Sequence, residues 1–237
     1  MSSNTQSTNY TSLFEASLAS PETFWAEQAE QIAWFKKPQT MLGKDAYGLD
    51  RWYAGGLLNT CYLAIDYHVQ HGQGAQVAMI YDSPVTNTIR KYTFAELQNN
   101  VANCAGALRT LVVEKGDRVV IYMPMIPETA FAMLACARLG AVHSVVFGGF
   151  APHELAIRIE DAEPKVVISA SCGIEFDRVL PYKPLLDEAI ELASFKPDHC
   201  LIYQRSMCHA PMLEGRDVDY SEAVAQADPT ECVPVDA

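Results

Sequence analysis

Residues 128–170 read ETAFAMLACARLGAVHSVVFGGFAPHELAIRIEDAEPKVVISA, and this stretch decides the fold. It parses as helix, strand, helix, strand. Glu128 to Leu139 is apolar almost all round, the pattern of a buried helix, and Gly140 is placed to end it in a left-handed conformation. Val142–Val146 is a short β-branched run, Gly148-Gly149 a turn, Pro152 to about Asp161 a second helix. Lys165–Ala170 then gives a strand with no polar alternation. Such strands are covered on both faces. Strands alternating with helices of this length form right-handed βαβ units around a parallel sheet.

Working outward extends the pattern. Arg118–Tyr122 is a strand set off by Gly116-Asp117. Upstream, Thr93-Phe-Ala-Glu96 is a capping box, and its helix puts Phe94, Leu97, Val101, Cys104, Leu108 and Leu111 on one face. Val77–Tyr81 and Thr88–Tyr92 read as a hairpin-like pair, and Leu57–Val69 as a helix. Ser20 reads as an N-cap with Pro21 at the first helical position; that helix carries Phe24, Trp25, Gln28, Ile32 and Phe35 and ends at Pro38. Downstream come a helix over Lys183–Ser194 and a strand over Cys200–Tyr203. Residues 1–19 read as a flexible lead-in and Asp228–Ala237 as linker. The expected fold is α/β, a mainly parallel sheet flanked by helices over residues 77 to 205, with a helical N-terminal extension.

The 237 residues are 49% hydrophobic and 19% charged, as in globular proteins, with net charge −12. An acidic balance argues against non-specific nucleic-acid binding but not against a phosphorylated small ligand, which a few local donors can hold. Seven cysteines with no CxxC pair imply reduced thiols and a cytoplasmic protein. No metal site is expected, since Cys208-His209 lacks a second ligand pair. The polar N-terminus is no secretory signal. The most apolar stretch, Met133 to Phe150, carries Arg138 and His143, which argues against a membrane span.

No GxxxxGK[ST] loop, GxGxxG fingerprint or GxSxG elbow occurs, and no Ser/Thr/Gly-rich loop could wrap a triphosphate. Two loops remain. Phe147-Gly148-Gly149-Phe150 follows a strand and precedes a helix, where ligands bind in open α/β sheets; the alternative is a tight turn with both Phe in the core. Ser171-Cys-Gly-Ile-Glu-Phe-Asp-Arg178 follows the next strand. Arg178 there could fork onto a phosphate, or be a surface arginine paired with Asp177 or Glu175. A nucleophile built from Cys136 and His143 lacks an orienting third group.

Trp52-Tyr-Ala-Gly-Gly-Leu-Leu-Asn59, Ile121-Tyr-Met-Pro-Met-Ile-Pro-Glu128 and Ala135-Cys-Ala-Arg-Leu-Gly-Ala-Val-His-Ser-Val-Val-Phe-Gly-Gly-Phe150 resemble the short-chain acyl-CoA synthetases, adenylate-forming enzymes of the acetyl- and propionyl-CoA synthetase family. Leu58-Asn-Thr-Cys-Tyr62, Ile80-Tyr-Asp-Ser-Pro-Val-Thr-Asn-Thr88 and Ser171-Cys-Gly-Ile-Glu175 are most similar to the propionate branch, with acetate as the other candidate substrate. The resemblance implies an ATP-dependent acid–thiol ligase. A short-chain carboxylate attacks ATP, with Mg²⁺, to give acyl-AMP and pyrophosphate, and CoA then displaces AMP.

It further implies residues 20–90 as the family's N-terminal extension and 91–237 as the first part of the AMP-binding domain, ending before the phosphate loop. Phe147, Gly148 and Gly149 correspond to residues holding the adenine end of CoA, and Glu175, Phe176, Asp177 and Arg178 to the segment meeting its phosphates. Glu175 departs from the family, where acetyl-CoA synthetases carry an arginine. Ala151 replaces a common N-cap serine. The ATP, carboxylate and metal sites are expected outside this chain, so no catalytic residue is assigned and the fragment is expected to be inactive. The competing expectation is a naturally short binding or regulatory module. Apolar surface left uncovered by later strands would favour self-association.

Overall fold

The computed structural model describes residues 10–237. They form two compact units, one running up to Leu58 and including Pro234–Ala237, the other Asn59–Val233.

In the smaller unit, α1 (Tyr10–Ala19) buries no residue; residues 10–19 of the stretch read as a lead-in thus form a helix, and residues 1–9 lie outside the described residues. α2 (Pro21–Ala29) begins as expected, with Pro21 in the first turn, but Ser20 makes no side-chain cap. It stops well before Pro38. The Trp34 indole donates to the Ala29 carbonyl at 2.8 Å and so fills one of the acceptors a helix end leaves open. β1 (Thr40–Lys44) and β2 (Asp50–Ala54) pair antiparallel. β3 (Leu57–Leu58) stands where a helix was expected, and pairs antiparallel with Val235–Asp236. The tail is therefore not featureless linker.

In the larger unit, residues 60–73 form a helix with two π-helical turns, Tyr62–Asp66 and Val69–Gln73. β4 (Val77–Ser83) and β5 (Thr88–Thr93) make the expected hairpin. They are a separate two-stranded sheet, so the parallel layer starts later than residue 77. α3 (Phe94–Thr110) opens with the full capping box: the Glu96 N–H donates to Thr93 Oγ1 at 3.2 Å, and the Thr93 N–H to Glu96 Oε2 at 2.8 Å.

Then follow β6 (Arg118–Met123), α4 (Pro127–Leu139), β7 (Val142–Phe147), α5 (Pro152–Ala162) and β8 (Val166–Ala170). A hairpin of β9 (Cys172–Glu175) and β10 (Arg178–Pro181) leads to α6 (Tyr182–Leu192), β11 (His199–Tyr203), β12 (Asp217–Asp219) and α7 (Tyr220–Gln226). Gly140 ends α4 with φ +72°. Ala151 is the N-cap of α5 and, lacking a hydroxyl, makes no side-chain bond.

The five-stranded sheet has the order β12-β11-β8-β6-β7, all parallel. Alternate residues feed two cores. Val119, Ile121, Met123, Val166, Ile168 and Leu201 pack with α3 and α4; Val120, Tyr122, Val167, Cys200 and Ile202 pack with α5 and α6. Each such side chain, fully buried, contributes about 1.5–3 kcal/mol. This two-sided burial explains why β6 and β8 lack polar alternation. β7 lies at the edge and leaves Val142 and Val145 exposed. From β6 the chain passes through α4 to β7, then recrosses through α5 to β8 on the other side of β6. The topological switch point therefore lies between β6 and β8, where such sheets open a crevice at their carboxyl ends.

Candidate functional site

A cavity of about 420 Å³ lies at that end of the sheet. Met123 at the end of β6, Pro124 just after it, and Phe147, Gly148 and Gly149, at the end of β7, line one side. Ile174, Glu175, Leu180 and Tyr182 line another, Arg205 a third, and the β4–β5 loop closes it. Both sequence-selected loops thus reach one cavity, although β6 separates β7 from β8.

Gly148 and Gly149 are needed for different reasons. A Cβ on Gly148 would fall 2.6 Å from Tyr182 Oη and 2.7 Å from the Met123 carbonyl oxygen. Gly149 has φ +92°, a conformation side chains resist. The turn reading is correct for the glycines but not for the phenylalanines. Phe147 is 72% exposed and Phe150 36%, with ring centroids 5.6 Å apart.

Of the second loop, Glu175 lines the cavity, whereas Phe176, Asp177 and Arg178 do not. Phe176 and Asp177 form the tip of the β9–β10 hairpin, in which Glu175 pairs with Arg178 across the strands. Phe176 is 91% exposed and has φ +56°, a left-handed conformation that costs a non-glycine residue roughly 1–2 kcal/mol. Arg178 is exposed and, among the described residues, ion-pairs with neither Asp177 nor Glu175. Its guanidinium remains available to an incoming anion.

Tyr182 and Arg205 were not legible as site residues. The Tyr182 ring stacks on Tyr122 at 5.0 Å. It also touches Gly173, where a Cβ would lie 2.6 Å from ring atoms. Burial, then the Glu175 carboxylate, raise the Tyr182 pKa, so its hydroxyl stays protonated beside the cavity at neutral pH. Tyr122 is pushed up to about 12 by burial and donates to the Phe150 carbonyl at 3.0 Å. Arg205 is only 9% exposed. Its N–H meets Ser171 Oγ at 2.8 Å and its Nη1 the Cys172 carbonyl at 3.2 Å. The glycines at 148 and 173 are the sequence trace of Tyr182; Arg205 leaves none.

The cavity therefore combines an apolar floor, a protonated phenol, a buried guanidinium and the exposed Phe147 ring. A sequence profile of the AMP-binding enzyme family matches residues 67–235, and one for the acetyl-coenzyme A synthetase N-terminus matches residues 10–64. The chain belongs to the AMP-binding enzyme family.

Several relatives fit this AMP-binding assignment. An uncharacterized protein of Pseudomonas aeruginosa is 56% identical over 92% of this chain and 35% of its own length. The rat mitochondrial acyl-CoA synthetase short-chain family member 3 is 50% identical over 95% of this chain and 33% of its own. Propionate–CoA ligase of Salmonella typhimurium is 41% identical over 90% and 34%. Acetoacetyl-CoA synthetase from Streptomyces lividans shares the fold with TM-score 0.84 at 23% identity, over 96% of this chain and 34% of that one. The chain spans about a third of the length of the curated relatives it matches.

Among the described residues no helix is long and apolar enough to cross a membrane. Cys136 is wholly buried and its thiol pushed up by burial, which removes it as a nucleophile paired with His143.

Proposed function

We propose that this chain provides the CoA-binding face of an ATP-dependent short-chain acyl-CoA synthetase acting on propionate. The observation that carries the reading is the meeting of the Phe147–Gly149 turn and the β9–β10 hairpin at one cavity over the switch point. Phe147 offers an exposed ring for a planar base, on a turn that Gly148 and Gly149 permit by packing under Tyr182 and by adopting a positive φ. Arg178 offers a charge-assisted fork to phosphate. Glu175 cannot donate to an anion when ionised, so it serves a ribose hydroxyl or the amine of the base. Kinship to propionate–CoA ligase supports propionate over acetate.

Among the described residues, the cluster with metal-ligand spacing does not fit Mg²⁺, which takes hard oxygen ligands. The described cluster with metal-ligand spacing is Cys61, Asp66 and Cys232, two thiols and a carboxylate whose oxygens both bond to Arg138. No catalytic step is assigned to this chain.

Calorimetric titration with CoA tests the proposal, with AMP and pantetheine as partial ligands. Saturable CoA binding that Arg178→Ala weakens supports it. No binding, or binding indifferent to both Arg178→Ala and Phe147→Ala, overturns it.

A further inference from the structure

The cluster that rejects magnesium suits other chemistry. Cys61 is the second residue of the helix at 60–73, whose N-terminus is capped by Asn59: Oδ1 accepts the Tyr62 N–H at 3.0 Å. Helix N-termini and neighbouring cations both stabilise a thiolate. Here the cation is Arg138, whose Nη1 donates to Cys61 Sγ at 3.6 Å. Cys232 Sγ, Cys61 Sγ and an Asp66 oxygen lie within 4.8 Å of one another. Cys61 is wholly buried, while Cys232 is partly exposed, so a small oxidant meets the pair there.

The backbone around the pair is fastened. Asn59 Nδ2 donates to the Ala137 and Val233 carbonyls, each at 2.8 Å, and the Val233 N–H donates to the Arg138 carbonyl at 2.8 Å. Arg138 Nε also reaches the Thr230 carbonyl. The two sulfurs are thus held facing each other, and a modest approach brings them to a bond length of about 2.05 Å.

We propose that Cys61 and Cys232 form a redox modification site, converted by hydrogen peroxide into a reversible disulfide that fastens residues 230–233 to the helix at 60–73. One sulfur of the pair, in its thiolate form, attacks a peroxide oxygen. An S–O bond forms, the O–O bond breaks, and the departing hydroxide is protonated to water. The second sulfur then displaces water from the sulfenic sulfur and forms the S–S bond. Two thiols are oxidised by two electrons, and one peroxide is reduced to two waters. A dithiol reductant reverses the change.

Other cysteines lack this combination. Burial raises Cys104, Cys136 and Cys200. Cys172 lies beside Cys208, but burial raises it too. In Cys61 the neighbouring Cys232 thiol, and then Arg138, outweigh burial and lower its pKa. A metal ion is disfavoured in the cluster because Arg138 already occupies both Asp66 oxygens, at 2.7 and 2.9 Å, and supplies the positive charge.

The test exposes the folded chain to hydrogen peroxide, alkylates the remaining thiols, and maps the digest without reduction. The expected product is a peptide pair linking Cys61 to Cys232. It should disappear with dithiothreitol, be absent from Cys232→Ser, and be lost among mixed links when the chain is oxidised in urea. A dominant Cys172–Cys208 link, or full alkylation of Cys61 and Cys232 after peroxide, overturns the proposal. Zinc bound by the reduced chain in a one-to-one ratio, shielding both thiols from alkylation, also overturns it. The wild-type map decides the matter even if the variant folds poorly.

Discussion

Arg138 and Asp66 face each other as a two-pronged ion pair, Nη1 to Oδ2 at 2.7 Å and Nη2 to Oδ1 at 2.9 Å, with side chains only 3% and 5% exposed. It joins the end of α4 to the helix at 60–73. Removing one partner from such a pair strands the other charge in the core. Asp66→Asn should therefore destabilise the chain by about 3–5 kcal/mol, read as a lower urea midpoint. Replacing both, as Asp66→Leu with Arg138→Met, should cost less than Asp66→Asn alone. A single variant within error of wild type would show that the pair is open to solvent.

Gly148→Ala tests the close approach under the cavity. Its Cβ would meet Tyr182 Oη at 2.6 Å and the Met123 carbonyl oxygen at 2.7 Å. Overpacking of this kind costs about 1–3 kcal/mol. Tyr182→Phe should recover only part of the loss, because the Met123 carbonyl remains. Full recovery would assign the whole conflict to the phenol.

Acid should weaken the fold through specific carboxylates. Glu96 titrates below its ordinary 4.5 because the Thr93 N–H and hydroxyl bond to it, and Glu160 does so through Ser194. Burial pushes Asp217 upward, but Arg216, the Leu213 N–H and Lys183 outweigh it and hold it below 3.8. The unfolded chain therefore takes up protons first. Stability is complete above the ordinary carboxylate range and is lost as pH falls through the lowered values. Urea midpoints should drop between about pH 5 and about pH 3, with a shallower slope in Asp217→Asn. A flat profile would remove these groups from the account.

At the proposed CoA face, Arg178→Ala should weaken binding about tenfold, the worth of one charge-assisted contact, and should reduce its salt dependence. Phe147→Ala should weaken CoA and AMP alike while sparing pantetheine. Stability should hardly change in either variant, since both side chains are exposed. A large loss of stability would recast them as structural.

Most of the sheet was legible because its signals are local. Thr93 and Glu96, Gly140, and the β-branched runs of β6 and β8 each announce an element within a few residues. What escaped depends on partners far along the chain. The end of α2 is set by Trp34, and β3 forms against Val235–Asp236. The cavity draws Tyr182 and Arg205 from positions with no motif. The second loop read from Ser171 to Arg178 is a hairpin because Glu175 faces Arg178, a pairing that composition does not reveal. The two loops stood out by their place after strands, and family likeness gave them a ligand; the reason glycine must occupy 148 lies in the Met123 carbonyl and in a tyrosine 34 positions later.

One edge strand, β7, carries a last consequence. Its Val142 and Val145 side chains and its outer margin, which pairs with no strand among the described residues, form a ready template for any extended segment that drifts alongside. Concentrated solutions should grow turbid from that rim inward, and a lysine written at Val145 should keep them clear.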